Sequence, residues 1–276
     1  MNRHFSLHQI LFFCFTALVS LPAITLVIWL ERSAVDAGID GAHDKHLVLA
    51  RSISLAISRY LRDVESIVNH VRGQYALGTE MYGKSSLIAD ANIRFIARLN
   101  TNMSIKQQLA ASGDAVAHAL PPALRRALSR TFAAAEVRPG FSVISPTLFN
   151  ANQSPSIYLI TAERDGGFTL AEVSTAYLVE LQKSIQFGHG GHAAIVDALG
   201  RVMAHPKAAW RAGIQDISAV EPVRRMMAGQ SGVVVFHSPA VGKEMIAGYV
   251  VEPRSGWGIM VPQPYQELIA AARANL

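Results

Sequence analysis

The chain has 276 residues, a length that allows one large domain, or two small domains and a membrane anchor. Half of its residues are hydrophobic and only 16% are charged, which is an apolar composition for a water-soluble protein. The net charge of +5 is not gathered into a basic stripe with interleaved aromatic residues, so nucleic-acid binding has no support. The one cysteine, Cys14, excludes an internal disulfide and thiolate-metal chemistry outside the apolar N-terminal segment.

The first predicted element is a transmembrane helix, Ile10–Leu30, preceded by a cytoplasmic N-terminus at residues 1–9. The helix contains no charged residue, and about 20 apolar residues suffice to cross a lipid bilayer. The alternative is a cleaved signal peptide, whose apolar region is normally about 7–15 residues long. Arg3 lies before the run and acidic residues follow it, a distribution that favours a cytoplasmic N-terminus. We therefore expect an anchor in the bacterial inner (plasma) membrane, with the remaining residues in the periplasm or outside the cell.

A long stalk helix is predicted next, over residues 31–76. Its apolar residues recur at three- and four-residue steps, which is the spacing of one helix face: Val35, Ile39, Leu47, Ala50, Ile53, Ile57, Leu61, Val64, Ile67 and Val71. A single apolar stripe of this length can pack on a domain or on a second copy of the chain. Core packing and homodimer contact both remain open, and they can apply at different heights of the helix.

Beyond the stalk, a Gly- and Ser-containing break spans residues 78–86, and a second helix is predicted over residues 87–99. Short strand-like runs separated by turn residues follow, with one helix over residues 122–135 and a last helix over residues 265–276. Strands dominate and the helices lie at one side. The predicted class is therefore α+β with antiparallel sheets.

An internal repeat is indicated by three pairs of landmarks in the same order. Segments 109–118 and 196–205 each have a turn glycine between two apolar runs and end in Ala-His, and their glycines are 87 residues apart. Gly140 and Gly229 each precede a strand-like run, 89 residues apart, and Arg164 and Arg254 each open a glycine turn, 90 residues apart. The nearly constant offset predicts two copies of a module of about ninety residues.

One motif favours a different function, because residues 78–85 fit the phosphate-loop formula and residues 193–197 resemble its magnesium-binding strand. That loop needs a buried strand before it and a helix after it, so that backbone N–H groups face the phosphates. Here a long amphipathic helix precedes Gly78, and Asp197 is better explained as the residue that opens a hairpin turn. A nucleotide site is therefore not expected.

Several segments together resemble the double Cache family of extracytoplasmic sensor domains. Residues 188–206 resemble the opening of the membrane-proximal module, in which a glycine-rich lead-in precedes a strand ending in Asp and a strand closing on Ala-His-Pro. Residues 256–264 resemble the last strand of the same module, and residues 166–178 resemble the close of the distal module. The resemblance implies two PAS-like antiparallel-sheet modules in tandem, at residues 77–185 (membrane-distal) and 186–264 (membrane-proximal). Residues 265–276 would lead toward a second transmembrane segment.

The resemblance also implies a candidate site for a small extracellular ligand in the distal module. Amino-acid-binding members carry an Arg-x-Trp element, a Tyr-x-Asp pair and a closing acidic residue, where the arginine binds the ligand carboxylate and the acid binds its ammonium group. The Arg-x-Trp element falls on Arg130 and Phe132, the Tyr-x-Asp pair on Leu148 and Asn150, and the closing acid on Glu172. Tyr158 is a further candidate ligand residue. Phe132, Leu148 and Asn150 depart from the family pattern. An α-amino-acid ligand is therefore in doubt, and an anionic ligand held by Arg130 remains open, as does a surface role for this arginine.

The resemblance further implies an output domain beyond this chain. A histidine kinase is the first choice for this output, a diguanylate cyclase the second and a chemoreceptor the third. The alternative from another class is a membrane-anchored binding protein without an output.

His189, His192, His205 and His237 lie in one module, but no nearby acids or thiols complete a metal shell. The sequence also carries no nucleophile elbow and no carboxylate pair at helical spacing. We therefore expect no cofactor, no metal and no enzymatic activity in this chain.

Overall fold

One unbroken helix, α1, carries the N-terminal quarter of the chain from Leu7 to Leu77. The computed structural model describes residues 7–77, 85–111, 120–134, 138–187 and 190–274; within the helices and strands a few side chains are also not described. The predicted helical pattern over residues 31–75 is confirmed. Among the residues described with their side chains, no helix is both long enough and apolar enough to cross a membrane.

Thirteen strands and six further helices follow in the described residues. The helices are α2 (Ser85–Asp90), α3 (Pro122–Ala134), α4 (Ala176–Lys183), α5 (Ala208–Ala212), α6 (Glu221–Met227) and α7 (Tyr265–Ala274). The strands are β1 (Ile93–Leu99), β2 (Ile105–Ala110), β3 (Ser142–Ile144), β4 (Leu148–Phe149), β5 (Pro155–Ala162), β6 (Phe168–Ser174), β7 (Gln186–Phe187), β8 (Gly191–His192), β9 (Ala194–Val196), β10 (Val202–Ala204), β11 (Gly232–Ser238), β12 (Lys243–Val251) and β13 (Gly258–Pro264).

Two antiparallel sheets share one topology, which confirms the predicted α+β class. The first sheet has the order β2-β1-β6-β5-β3, with β4 also paired to β5, and the second has the order β10-β9-β13-β12-β11. In each sheet a hairpin comes first, helices cross over, and the last strand of the module returns to pair with the first. This arrangement is that of two PAS-like modules in tandem.

Two landmarks of the predicted repeat occupy equivalent places in the two sheets. Gly140 and Gly229 precede β3 and β11, and both have positive φ, at 89° and 74°. Gly166 and Gly256 stand in the β5–β6 and β12–β13 turns, with φ of 81° and 71°. Positive φ is accessible to glycine at little steric cost, so these positions retain glycine in both copies.

The landmark that paired Gly113 with Gly200 is wrong. The hairpin β9–β10 corresponds in sheet order to β1–β2, and Gly113 lies outside the described residues. In the β1–β2 turn, Met103 has φ 61° and its N–H donates to Asn100 O, as the N–H of Gly200 donates to Asp197 O. Met103 has the backbone conformation that Gly200 has in the other copy. Pairing Gly113 with Gly200 therefore aligned the two modules in the wrong register at this hairpin.

The predicted helix over residues 87–99 is confirmed only over residues 87–90 and is wrong over the strand that follows. The helix α2 ends at Asp90, and Asn92 then takes a positive φ of 57° before β1 begins at Ile93. The strand β1 is central in its sheet, and it buries Ile96 toward α1 and Ala97 toward α3. A strand with both faces covered lacks the clean alternation of polar and apolar residues, and its pattern resembles a helix.

The buried stripe of α1 packs on both sheets. Ala50, Ile53, Ile57 and Leu61 pack with the second sheet, and Val64, Val68 and Val71 pack with the first. Polar contacts add to this packing. Ser58 Oγ donates to the buried Glu252 carboxylate at 2.6 Å, and the buried His46 ring contacts Val261 O at 2.8 Å. The core-packing interpretation of this stripe is therefore confirmed for residues 50–71.

The helix α7 follows β13 and runs alongside α1, in contact with β12 and β13 of the second sheet. Gly38 lies close against α7, since a Cβ atom there would lie 2.8 Å from Ala272 Cβ. The predicted last helix is confirmed over Tyr265–Ala274. The first and last helices of the described chain therefore run side by side at this end of the molecule.

Candidate functional site

The face of the first sheet that α3 covers is apolar at one end and polar at the other. Leu124 and Leu128 of α3 pack on Ile160 and Leu170, which lie side by side on β5 and β6. One step further along these strands the facing pair is Tyr158 and Glu172. A buried carboxylate thus lies where the apolar part of this face meets its polar part.

Glu172 is only 4% exposed and its Oε1 atom accepts two well-formed hydrogen bonds. Asn150 Nδ2 donates to it at 2.8 Å and Ser156 Oγ at 2.9 Å. Asn150 is itself held in place, because its Oδ1 accepts from the backbone N–H groups of Asn152 and Ser154 and so caps the turn after β4. These donors account for the burial of a charged group that is otherwise costly.

Arg94 supplies the positive charge beside this carboxylate. Ile93 pairs with Val173 and Phe95 with Glu172, so that Arg94 is the extra residue of a β-bulge on β1. A bulge can turn a side chain to the other face of a sheet. Arg94 Nε lies 3.5 Å from Glu172 Oε1, and about 30% of the arginine side chain remains exposed.

Several buried polar atoms here have no hydrogen-bond partner within the described residues. They are Arg94 Nε, the Tyr158 hydroxyl, and both amide atoms of Gln108, which points to this face from β2 opposite Ala97. Burial, together with the charge of Glu172, raises the pKa of the Tyr158 hydroxyl, although no well-directed hydrogen bond joins the two groups. Buried polar groups in proteins are almost always satisfied, so such a concentration indicates a place for a polar ligand or water. We name Arg94, Asn150, Ser156, Tyr158 and Glu172 the polar cluster. Gln108 lies on the same face of the sheet, in the neighbouring row with Ala97 and Leu170.

The equivalent face of the second sheet is filled differently. Counting from the shared turn glycines, Ala247 and Pro262 are the facing pair that corresponds to Tyr158 and Glu172. Apolar side chains from β12, β13 and α6 fill this face, among them Met226, Met245 and Met260. The buried polar atoms without partners that were found in the first sheet have no counterpart among the described residues of this face.

Comparison with known proteins gives matches at the level of structure. No protein-family model and no curated protein matches the chain. The extracellular domain of a protein assigned as the histidine kinase rpHK1S-Z16 superposes with a TM-score of 0.67 at 11% identity, covering 84% of this chain and 98% of that one. The ligand-binding domain of the Pseudomonas aeruginosa PAO1 amino-acid chemoreceptor PctB, in complex with L-Gln, gives 0.59 at 15% identity over 83% and 93%. That of Mlp24 with asparagine gives 0.56 at 12% identity over 88% and 98%.

These neighbours are extracellular and ligand-binding domains, and each match covers more than 80% of this chain and so includes both of its sheets. The chain has the double Cache fold. The similarity at this level of identity is one of architecture, and it agrees with the double Cache resemblance of residues 188–206 and 256–264.

The double Cache fold brings three of the six predicted ligand residues together. Asn150, Tyr158 and Glu172 meet in the polar cluster. Leu148 lies on β4 and packs against the α3 core beside them. Their role in binding remains a prediction.

The other two predicted residues lie on α3. The side chain of Phe132 lies outside the described part of the chain. Arg130 is exposed and lines a surface depression of its own, together with Arg125, Ser129 and Asn102. The cation that reaches Glu172 is Arg94, which the sequence analysis missed, as it missed Gln108 and Ser156. Nothing in the local sequence marks Arg94, because a bulge that depends on β6 directs its side chain.

The second module of the double Cache fold contains the segment that resembled a magnesium-binding strand. Asp197 does open a hairpin turn, because its Oδ1 accepts from the N–H groups of Leu199 and Arg201. Its Oδ2 accepts from the N–H of Thr147 at 2.8 Å, which ties the first module to the second. The glycine-rich half of the motif, residues 78–84, lies outside the described residues.

The histidines of the second module form an aromatic stack. His205 is stacked on Trp210 with ring centroids 4.8 Å apart, and His192 meets its edge at 5.4 Å. His237 is exposed beside Glu244, and His189 is outside the described residues. Among the described residues, no group of three or more His, Cys, Asp or Glu side chains is placed to hold a metal ion.

His205 is expected to make the protein less stable in acid. Burial, followed by the nearby His192, Lys207 and Arg211, lowers the pKa of His205 to about 3. Between the unfolded value of about 6.5 and that folded value, the unfolded chain binds a proton that the folded chain does not. The contribution of His205 to the free energy of unfolding is therefore constant above about pH 6.5 and decreases as the pH falls further.

A His205→Gln variant should show a flatter decrease of Tm between pH 6.5 and pH 4 than the unmodified chain. Glutamine retains an acceptor for the N–H of Lys207, which donates to His205 Nδ1 at 3.0 Å. His237→Gln is the control, because it makes the same substitution at an exposed position of the same module. Equal slopes for the unmodified chain and His205→Gln would contradict the prediction.

Proposed function

We propose that this chain is the extracytoplasmic ligand-sensing region of a transmembrane signal-transduction receptor, and that the polar cluster of its first module binds a small extracellular molecule. The observation that carries this proposal is the contrast between the two modules. The same fold positions hold Tyr158 and Glu172 in one module and Ala247 and Pro262 in the other. On this face the second module is filled by apolar side chains, whereas the first has buried hydrogen-bonding capacity that its own described residues leave unused.

The structural neighbours support the same function. They include the extracellular domain of a protein assigned as a histidine kinase, and amino-acid chemoreceptor domains in complex with L-Gln and with asparagine. We propose a sensor histidine kinase as the output of the whole receptor, with a diguanylate cyclase or a chemoreceptor as alternatives. Residues 77–185 would form the membrane-distal module and residues 186–264 the proximal one.

The proposed receptor lies in the bacterial inner (plasma) membrane, with contact to the lipid bilayer through Ile10–Leu30. In support of this placement, the large apolar side chains described between Leu11 and Leu30 are exposed. The outward side of α1 also carries Val48 and Leu55, which are more than half exposed and seven residues apart. A repeat of seven residues suits a helix that packs on its own copy, so a homodimer along α1 is part of the proposal.

A thermal-shift screen of the full chain in detergent tests the function. A ligand that binds only the folded state at 100 times its Kd adds about 2.7 kcal/mol to the free energy of unfolding. In a protein of this size each kcal/mol raises Tm by about 2–4 °C. We expect a compound from a library of small carboxylates, amides, amino acids and sugars to raise Tm, and we expect Glu172→Gln to reduce that shift at least by half.

Two variants make the screen specific. Glu180→Gln changes an exposed carboxylate elsewhere in the first module and should leave the shift intact. Tyr158→Phe removes only a buried hydroxyl without a partner, so the unliganded protein should keep its stability while the ligand shift decreases. A ligand shift that survives both Glu172→Gln and Tyr158→Phe would place the site elsewhere. A chain that no compound stabilises would contradict the sensing function.

A further inference from the structure

We infer that Arg94 determines which class of ligand the polar cluster binds. Its guanidinium group lies beside the Glu172 carboxylate, where a ligand ammonium group would otherwise pair. The site therefore binds carboxylates or carboxamides that lack an ammonium group. This inference rests on the proposed function and adds the chemistry of the ligand to it. The structural neighbours with L-Gln and asparagine hold ligands that carry both an ammonium and a carboxylate group. The inference therefore predicts that the ligand of this chain differs from theirs in lacking the ammonium group.

The first argument is the charge balance of the polar cluster. Its one carboxylate, Glu172, faces its one cation, Arg94, at 3.5 Å. Asn150 and Ser156 already donate to the same carboxylate oxygen. A buried anion attracts a cationic ligand while its charge is uncompensated, and here Arg94 compensates it. The pair has no net charge, so it offers a ligand hydrogen bonds rather than an unpaired charge.

The second argument is the position of the guanidinium group. An ammonium group that approached Glu172 would also approach Arg94, and two like charges in a poorly solvated site repel strongly. The bulge at Ile93–Phe95 fixes Arg94 on this face of the sheet, so the arginine is held there by the backbone. About 70% of its side chain is covered, which restricts its movement away from Glu172.

The third argument is the hydrogen-bonding capacity that remains. Arg94 Nε is a donor, the Gln108 amide offers a donor and an acceptor, and the Tyr158 hydroxyl can act as either. All of these atoms are buried, and none has a hydrogen-bond partner within the described residues, although Arg94 Nε lies at ion-pair distance, 3.5 Å, from Glu172 Oε1. A carboxylate or amide oxygen accepts from such donors, and a carboxamide can also donate to the Gln108 oxygen. An aliphatic ammonium group donates only, and it would leave the arginine donor unmatched.

The experiment compares matched probes on the full chain in detergent. The probes are the linear carboxylates from propionate to hexanoate, the corresponding primary amides, and the α-amino derivatives of the same acids. Binding is measured as the rise in Tm and, where it is large enough, by titration calorimetry. For the unmodified chain we expect the acid or amide of the best-fitting length to bind at least tenfold more tightly than its α-amino derivative.

Arg94→Gln should reverse this preference. The variant leaves Glu172 uncompensated, so the α-amino derivative should gain at least tenfold in affinity while the simple acid loses at least tenfold. Arg94→Lys keeps the charge and should keep the preference of the unmodified chain. Arg98→Gln changes an arginine of the same strand that pairs with Asp165 outside the polar cluster, and it should leave the preference unchanged.

The outcomes separate this inference from the proposed function. If the unmodified chain binds α-amino acids as tightly as the deaminated probes, the ligand class is wrong but the sensing function stands. If no probe of any class raises Tm, the ligand class is again wrong, and the wider screen decides the function. If Arg94→Gln does not fold, the preference of the unmodified chain and of Arg94→Lys decides the question.

Discussion

A Gly248→Ala variant is expected to lose about 3 kcal/mol of its free energy of unfolding, because Gly248 is the point where the backbone of β12 contacts the backbone of α1. A Cβ atom at this position would lie 2.6 Å from Leu47 N and 2.7 Å from His46 O. Neither atom belongs to a flexible side chain, so helix and sheet would have to move apart. Overpacking of an interior typically costs about 1–3 kcal/mol, and a contact between two backbones belongs at the upper end of that range.

The movement would also disturb the polar contacts that seat α1 on the second sheet. His46 precedes the contact and its ring lies 2.8 Å from Val261 O and 3.1 Å from Gln263 Oε1. Both partners lie on β13, next to β12, so a displaced helix would leave a buried imidazole without them. The loss of these contacts adds to the steric cost.

Gly73→Ala is the matched control for this prediction. Gly73 lies in the same helix, and a Cβ atom there would meet nothing within 4 Å. Alanine has a higher helix propensity than glycine by about 0.8–1.0 kcal/mol, so this variant should become more stable. Urea titration followed by circular dichroism measures both changes. If Gly248→Ala unfolds within 1 kcal/mol of the unmodified chain, α1 does not pack on β12 at this distance.

The parts of the fold that could be predicted from the sequence are those governed by local rules. The spacing of Ile53, Ile57 and Leu61 predicts a helix with one buried face, and this pattern needs no knowledge of its partner. Gly166 and Gly256 could be matched as turns because their positive φ requires glycine in both copies. The β1 strand could not be predicted, because its two buried faces depend on α1 and α3, which are far away along the chain.

The candidate site shows the same division. Asn150, Tyr158 and Glu172 could be named because the family resemblance concerns residues on consecutive strands. Arg94 and Gln108 could not, because their direction depends on strand pairing between β1, β2 and β6. The sequence analysis assigned the anion-binding role to Arg130 by its spacing to Phe132, and Arg130 lies on the exposed side of α3. Spacing along a helix alone does not determine which side faces the sheet.

If the polar cluster binds a ligand as proposed, packed residues connect it to the second module. Ile157 follows Ser156 on β5, and its side chain belongs to the core that α1 shares with the second sheet. Trp257 of the β12–β13 turn packs in that core, and it lines a small apolar gap together with Ile157, Leu159 and Leu61. Trp257 is thus a large side chain that lies against both α1 and the first sheet.

Trp257→Ala is therefore expected to cost about 3–5 kcal/mol of the free energy of unfolding, the range for truncating a buried aromatic residue. Trp257 is 1% exposed, and its loss would enlarge the existing gap between α1, Ile157 and Leu159. Trp210→Ala is the control, because this second tryptophan of the same module is partly exposed, and it should cost markedly less.

The Trp257 variant should also weaken the coupling between the two modules. In urea the unmodified chain should lose both modules in one transition, because α1 and Trp257 tie them to a single core. Without the indole ring, we expect two transitions, each with a smaller dependence on urea concentration, because each exposes less surface. A Trp257→Ala chain that still unfolds in one transition, with an unchanged slope and a loss below 1 kcal/mol, would mean that α1 alone joins the modules. In that case a ligand at the polar cluster would have to act on the second module through the helix rather than through the turn that carries Trp257.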